Sequence, residues 1–143
     1  MLHEMQKIKL NFQGYCYPDV ERIPEKSGIY CIYITAKNVL CSRNVTKLIY
    51  IGQAGNGDNS TLRSRIASHA STDYPAKKKY AYSFVEVPKE KLDLVEAALV
   101  FQFHPAYNKN LIKKYEHESV DVMIKGACEG LEDFILYEGT ERF

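Results

Sequence analysis

Two runs in the first half of the chain are apolar at nearly every position, and they restrict the fold more than any other feature. The first covers residues 28–35 and the second covers residues 47–53. Both are rich in isoleucine and tyrosine, which favour β-strands. Because a strand that is apolar on both sides must be covered on both sides, we expect these runs to lie inside a layered domain. The polar stretch between them predicts a long hairpin connection.

The following segment alternates between helix and strand. A polar loop precedes a helix that runs to about residue 71, with Ser60 or Thr61 as its N-cap. An aromatic and β-branched run over residues 80–87 predicts a third strand. The second helix comes next and ends before Pro105, whose ring disfavours a helical residue ahead of it.

Two short strands are predicted after the second helix, over residues 120–125 and 134–137. The complete order predicts an α+β fold. We expect a small, mostly antiparallel three-stranded sheet flanked by helices, with a short C-terminal appendix.

Bulk composition is that of an ordinary globular domain. The chain has 143 residues, of which 45% are hydrophobic and 26% are charged. No run approaches the ~20 apolar residues of a membrane span, and the N-terminus has no apolar signal segment. We therefore expect a cytoplasmic protein with no membrane partner. The four cysteines are scattered without zinc-ligand spacing and do not indicate a disulfide framework.

Glu96 is the strongest single candidate for chemistry. Apolar residues of the second helix form one stripe, and Glu96 falls on it between Leu92 and Leu99. An inward carboxylate must be ion-paired, protonated or metal-bound, because an uncompensated buried charge costs several kcal/mol. From helix geometry alone, a structural ion pair or a position at the exposed margin of the stripe explains Glu96 equally well.

Arg65 and His69 are one helical turn apart and share a face of the first helix. Arg63 lies on a different face, so Arg65 is the arginine that can point with His69. By themselves these residues fit a solvated polar face better than a catalytic site.

Three more polar side chains have ordinary structural explanations. Tyr30 and Tyr50 lie in neighbouring predicted strands, where a buried phenol usually just finds a hydrogen bond. Asn108 follows a helix end, where asparagine usually serves a turn. None of the three indicates catalysis on its own.

Local clusters of positive charge are candidates for nucleic-acid binding. The formal net charge is only +1, so such a site must come from clustering rather than from the overall field. Three consecutive lysines before the third strand are able to hold phosphate by charge. The predicted nucleic-acid-binding residues are Arg43, Arg63, Lys77, Lys78 and Lys79.

Taken in chain order, the candidate residues resemble the GIY-YIG nuclease family. Residues 28–30 (Gly-Ile-Tyr) and 50–52 (Tyr-Ile-Gly) match the two tripeptides that name the family. The resemblance covers roughly residues 28–108 of what we treat as one domain over residues 1–143. The matching site residues are, in order, Tyr30, Tyr50, Arg65, His69, Glu96 and Asn108.

The resemblance implies metal-dependent hydrolysis of DNA phosphodiester bonds. Glu96 would hold one Mg²⁺ or Mn²⁺, with water in most other positions. Arg65 would bind the phosphate through its planar guanidinium. Tyr30 would accept the proton of the attacking water, with help from His69, because a free phenol has a pKa of ~10.

The same resemblance implies supporting roles and shows two departures. Tyr50 would hydrogen-bond phosphate or water, and Asn108 would orient Glu96 or anchor the local backbone. The connection between the two tyrosines and the stretch between Gly52 and Leu62 are both longer than is common in the family, and Gln53 stands where many members have lysine or serine. Similar extensions occur in the restriction-type branch, which favours that branch, while a repair-like role stays open.

DNA is the expected partner. One such site cuts one strand, so a cut through both strands would need a homodimer or a second cleavage event by the same site. Residues 36–46 and the chain beyond residue 109 are the segments with room to contact bases. Two other interpretations stay open. One is a catalytically silent nucleic-acid-binding module of the same fold, and the other is a metal-free interaction domain, which would leave Glu96 unexplained.

Overall fold

The structure is a computed structural model that describes residues 5–16, 21–38, 43–57, 60–72 and 79–142. Within these ranges the chain forms six strands, two α-helices and one 3₁₀ turn at Lys89–Lys91. The strands are β1 (Gln6–Cys16), β2 (Gly28–Asn38), β3 (Arg43–Ala54), β4 (Lys79–Glu86), β5 (Val120–Gly126) and β6 (Phe134–Leu136). The helices are α1 (Leu62–Thr72) and α2 (Leu92–Phe103).

β2 is apolar on both sides because it lies in the interior of the sheet, between two hydrophobic layers. It pairs antiparallel with β3 on one side and with β4 on the other. Tyr30 lies opposite Gly52 of β3 and opposite Phe84 of β4. The pairing of the two apolar runs, expected from the sequence, is confirmed.

The predicted three-stranded sheet flanked by helices is wrong. All six strands join one curled, half-barrel sheet of mixed direction, in the order β3-β2-β4-β1-β5-β6. β1 pairs antiparallel with β4 and parallel with β5, and β5 pairs antiparallel with β6. The expected C-terminal appendix is therefore part of the main sheet.

Sequence reasoning missed β1 because its partners are remote. Residues 7–12 alternate between polar and apolar types, which is the pattern of a half-buried strand. Its pairing with β5 joins the two ends of the chain, and a parallel pair leaves no local turn signal. Local patterning indicates that a strand exists here, but it does not indicate which strands lie beside it.

The core has two parts, one on each face of the sheet. On one face α2 packs over β2 and β3, while Leu10 and Phe12 of β1 and Val122 of β5 extend the same cluster. On the other face Leu62 and Ile66 of α1 pack against the side chains of β2, β3 and β4. α2 is buried around most of its circumference, which explains why nearly all its residues are apolar.

α1 begins where the sequence predicted. The Thr61 backbone N–H donates to Ser64 Oγ at 2.9 Å, and the Ser64 N–H donates to Thr61 Oγ1 at 3.2 Å. This reciprocal pair is a variant of the capping box and satisfies two backbone donors at the helix start. The Leu62 N–H donates to Lys26 O at 2.9 Å, which ties the helix to the start of β2.

α2 also ends where expected, with His104 in the left-handed region at φ 43° and Pro105 directly after it. Among the described residues, no helix has the length and apolar character needed to cross a bilayer.

Candidate functional site

The candidate site is built around the last part of β3, residues 50–53, which lies on an edge strand of the sheet. Tyr50 belongs to this segment, and three other predicted residues touch it. Tyr30 packs on Gly52, Asn108 bonds to Ile51, and Glu96 bonds to Gln53, as the following paragraphs describe. Residues far apart in sequence therefore meet on four consecutive positions of one strand.

The two tyrosines are neighbours on the α1 side of the sheet. Their ring centroids lie 6.1 Å apart with the planes tilted by 44°. Tyr30 is fully buried, at 0% exposure, whereas Tyr50 is partly exposed. Of the two phenols, only Tyr50 has surface that faces solvent.

Gly52 makes this arrangement sterically feasible. A Cβ atom at position 52 would lie 2.6 Å from both Cζ and Oη of Tyr30, and 2.8 Å from Cε2 of Tyr50. Both rings therefore occupy the space that any side chain at this position would need. The glycine of the Tyr-Ile-Gly tripeptide has a packing reason, independent of any catalytic role.

Glu96 lies on the α2 side, in a small polar cluster with Gln53 and Asp93. The Gln53 Nε2 group donates to Glu96 Oε1 at 2.8 Å and to Asp93 Oδ1 at 3.0 Å. Partial burial raises the pKa of Glu96, the hydrogen bond from Gln53 lowers it, and the nearby Asp93 carboxylate raises it again. Glu96, which was predicted to face inward, is thus half-buried. Its carboxylate contacts an amide rather than a lysine or arginine.

Gln53 also contributes an oxygen that is buried in the described part of the structure. Within the described residues, Gln53 Oε1 is buried and has no hydrogen-bond partner. A buried carbonyl oxygen without a partner is uncommon, and it often marks a place for water or an ion. Here it belongs to the side chain that already bridges two carboxylates.

The phenols and the carboxylates lie on opposite faces of β3. Successive strand residues point to opposite sides, so Gly52 faces Tyr30 while Gln53 faces α2. The two groups therefore lie on either side of an edge strand whose backbone is covered at Ile49 and Ile51 by residues 107 and 108.

Asn108 holds that edge. Its Oδ1 accepts the Ile51 N–H at 2.9 Å, and its Nδ2 donates to the Ile51 carbonyl at 2.8 Å. The Tyr107 N–H donates to Ile49 O at 2.9 Å, beside this pair. The Asn108 amide thus mimics a neighbouring strand, and of the two roles that the resemblance implied, the structure supports the backbone anchor.

The two arginines of α1 have different surroundings. Arg63 Nε donates to Ile23 O at 2.8 Å, and Arg63 Nη1 lies 3.3 Å from Glu25 Oε1. Its guanidinium therefore fastens the turn before β2. Arg65 is exposed on α1, the helix that covers the tyrosine face of β2 and β3.

Several predicted residues lie outside what the structure describes. Lys77 and Lys78 fall in an undescribed segment, and the side chains of Arg43, Lys79 and His69 are likewise not described. The predictions for these five residues stay predictions.

Sequence reasoning missed Gln53 and Asp93. The signal for Asp93 was present, because it precedes Glu96 by about one helical turn and so shares its face. Gln53 was noted only as a departure from the family pattern. Its contact with Glu96 depends on packing α2 against β3, which the local sequence does not determine.

The Gln53 Nε2 group donates to both Asp93 and Glu96, so these two carboxylates supply the oxygens that a cation would meet here. In the described ranges, no group of three or more histidine, cysteine, aspartate or glutamate side chains is close enough to bind a metal. Two carboxylates and an amide would leave several coordination positions for water, which is how proteins usually bind Mg²⁺.

Comparison with known proteins adds no relative, since no protein-family model, curated protein or solved structure gives a significant match to this chain.

Proposed function

We propose that the protein is a metal-dependent DNA endonuclease that hydrolyses phosphodiester bonds at the edge of β3. The observation that carries the proposal is the convergence of Tyr30, Asn108 and Glu96 on residues 50–53, with Arg65 on the helix above the tyrosine face. The resemblance to GIY-YIG nucleases selected these residues from chain order alone. Their meeting on one strand segment supports the reading that they act together.

The residues present fit a hard divalent cation. Carboxylate and amide oxygens are the ligands that Mg²⁺ and Mn²⁺ prefer, and Gln53 Oε1 is a buried oxygen with no described partner. Glu96 is the proposed ligand, with Asp93 beside it. The ion, when bound, supplies charge stabilisation to the phosphate and to the leaving oxygen.

The chain's own residues carry the remaining steps. Arg65 binds a non-bridging phosphate oxygen and offsets the charge that develops in the transition state. A phenol in contact with the attacking water would accept its proton while passing the phenol's own proton to His69, and solvent water would protonate the leaving 3′-oxygen. Gln53 holds Glu96 in position through its amide. Asn108 keeps the β3 edge rigid by bonding Ile51 on both its N–H and its carbonyl.

The burial of Tyr30 decides what each phenol can do. At 0% exposure Tyr30 meets a substrate only if water enters between the two rings, whereas Tyr50 already has exposed surface. Tyr30→Phe and Tyr50→Phe therefore separate two forms of the proposal. Loss of cleavage in Tyr30→Phe assigns the base to Tyr30, and loss only in Tyr50→Phe assigns it to Tyr50.

The complete burial of Tyr30 also favours the second candidate function, a catalytically silent nucleic-acid-binding module. In such a module the phenol would be a core residue, as its packing on Gly52 permits. A cytoplasmic location is also part of the proposal. The restriction or repair role and a homodimer for double-strand cleavage are further parts, and both depend on nuclease activity.

Nicking of supercoiled plasmid in the presence of Mg²⁺ tests the proposal. We expect the parent protein to nick and Glu96→Gln and Arg65→Ala to be slower by a factor of about 100 or more, as for loss of one charge-stabilising group. Glu90→Gln is the matched control, because Glu90 is an exposed carboxylate just before α2. It should nick like the parent, and chelation of the metal should stop all nicking.

Two results would contradict the proposal. Equal nicking by the parent, Glu96→Gln and Arg65→Ala would identify a contaminating nuclease. Absence of nicking with DNA binding retained would favour the silent module. A readout without activity is thermal unfolding, where Mg²⁺ should raise the midpoint of the parent and of Glu90→Gln but not of Glu96→Gln.

A further inference from the structure

The described elements cover only half of one face of the sheet. On the side that carries α1, the helix packs over β2 and β3. The same side of β1 and β5 presents exposed side chains, which we call the open face: Lys7, Lys9, Asn11, Gln13, Met123 and Lys125. Their neighbours in sequence point the other way, with Leu10 and Phe12 buried under α2.

The open face adjoins the strands that hold the tyrosines. Gln13 lies opposite Phe84 of β4, and Phe84 lies opposite Tyr30 of β2, so the three residues form one row across the sheet. Tyr30 and Phe84 are buried, so the exposed part of this row begins at Gln13 on β1. Residues 7–13 of β1 rise by about 3.3 Å each and give the open face a length of roughly 20 Å, which corresponds to about six base pairs of duplex DNA.

A groove runs along this surface, and its lining holds two cations, two amides and one carboxylate beside apolar residues. Its volume is about 530 Å³, and its polar lining includes Lys9, Asn11, Gln13, Arg22 and Glu86. Lys125 lies beside Asn11 in the parallel pairing of β1 with β5, and it extends the positive charge onto the next strand.

The opposite side of the molecule has the opposite charge. A cavity of about 600 Å³ next to α2 is lined by five carboxylates, with Lys91 and His117 as its basic residues. The carboxylates are Glu90, Asp93, Glu116, Glu118 and Glu138. The formal net charge of +1 therefore combines a groove that carries Lys9 and Arg22 with an acidic cavity beside α2, where Asp93 adjoins the proposed cation site.

We propose that the open face binds the sugar–phosphate backbone of duplex DNA and leads the strand to the β3 edge. This inference rests on the proposed nuclease function, and it adds the surface that holds the substrate outside the reactive site. Lys7, Lys9, Arg22 and Lys125 are the phosphate contacts, while the exposed amides of Asn11 and Gln13 add hydrogen bonds that do not depend on base sequence.

Binding of a labelled DNA duplex to the full chain tests this inference, with fluorescence anisotropy as the measurement. The background variant is Glu96→Gln in the presence of chelator, so that cleavage does not consume the duplex. In this background we compare Lys9→Glu/Lys125→Glu with Lys89→Glu/Lys113→Glu. Both pairs change the charge equally, and the second pair is exposed and lies off the open face.

We expect the open-face reversal to weaken affinity by about tenfold or more and to reduce the slope of log K against log salt by about two. The control pair should stay within about twofold of the background protein. A milder pair, Lys9→Gln/Lys125→Gln, should also weaken binding, and it carries the test if the glutamate pair fails to fold. Melting curves identify that case.

Equal affinities of the open-face and control pairs would overturn the inference, and so would a background protein that does not bind duplex DNA. If sedimentation shows a dimer that the open-face pair dissociates while DNA affinity stays unchanged, the face serves a second copy of the chain instead. Loss of DNA affinity in the open-face pair with no nicking by the parent would contradict only the nuclease proposal.

Discussion

Gly52 shows how one residue can be required by packing and by function at once. Two aromatic rings fill the space where its side chain would stand, so the position accepts glycine alone. The closeness of Tyr30 and Tyr50 depends on that missing side chain. If the two phenols act on one substrate, the glycine is what permits their spacing.

Gly52→Ala should therefore destabilise the fold. The new methyl group would meet Tyr30 and Tyr50 at 2.6–2.8 Å, and overpacking of this kind costs about 1–3 kcal/mol. Urea unfolding measures the change in the free energy of unfolding. Gly57→Ala is the control, because a Cβ at position 57 has no atom within 4 Å. Equal effects of the two substitutions would contradict the packing argument.

Cys31 gives a prediction on pH. Burial under α2 raises the pKa of its thiol to about 12. Because the raised pKa keeps the thiol protonated, its alkylation in the native protein should not increase between pH 7 and pH 9, where the reactivity of an exposed thiol rises with the thiolate fraction. Mass spectrometry after digestion should find Cys31 modified only when denaturant is present. Rapid native labelling of Cys31 at pH 8 would show that this part of the core opens.

At the scale of elements, the edge of β3 is the feature that sets the site. An edge strand exposes unpaired N–H and carbonyl groups, and here Asn108 satisfies both groups of Ile51. The same edge separates the phenols from the carboxylates. An amide from the segment after α2 therefore fixes the part of β3 that both halves of the candidate site share.

Asn108→Ala should loosen that edge. It removes two hydrogen bonds to partly buried backbone groups of Ile51, which predicts a loss of about 1–3 kcal/mol in the free energy of unfolding. Hydrogen exchange of the Ile51 amide should accelerate as well. Asn110→Ala, an exposed position two residues on, is the control. An unchanged exchange rate at Ile51 in Asn108→Ala would show that the edge is held by other contacts.

At the scale of the whole molecule, the two ends of the chain complete the core. The hydrophobic cluster that contains α2 also contains residues from the first and last strands: Leu10 and Phe12 of β1, Val120 and Val122 of β5, and Phe134 and Leu136 of β6. The segment that resembles the nuclease family therefore does not contain its whole core. The two ends also supply the open face, so the strands that complete the core also carry the proposed DNA-binding surface.

A fragment of residues 21–111 should not fold cooperatively, because it leaves β4 without its partner β1 and exposes one side of α2. Circular dichroism during heating should show no sharp transition for the fragment and one cooperative transition for the full chain. Phe12→Ala in the full chain offers a milder test, with an expected loss of about 3–5 kcal/mol. A cooperative fragment would show that the β1–β5–β6 half is an accessory to an independent core.

Local sequence determined the elements that carry their own signals. The apolar runs of β2 and β3 identified paired strands, Ser60 or Thr61 as the N-cap located the start of α1, and Pro105 identified the end of α2. The position of Glu96 on the helix predicted an inward carboxylate, and the structure places it half-buried against Gln53. Each of these depends on residues within one or two turns or along one strand, where periodicity and capping are decided by neighbours in the chain.

Tertiary structure alone decided which elements lie beside one another. The parallel pairing of β1 with β5, the contact of Gln53 with Glu96, and the exposure of Tyr50 rather than Tyr30 all join residues that are remote in sequence. The free energy that stabilises these contacts comes from burial and hydrogen bonds that exist only once the chain has folded. For that reason the sequence named Tyr30, Tyr50, Glu96 and Asn108 as candidates but not Gln53 or Asp93, while the fold decided which face of the edge strand each one occupies.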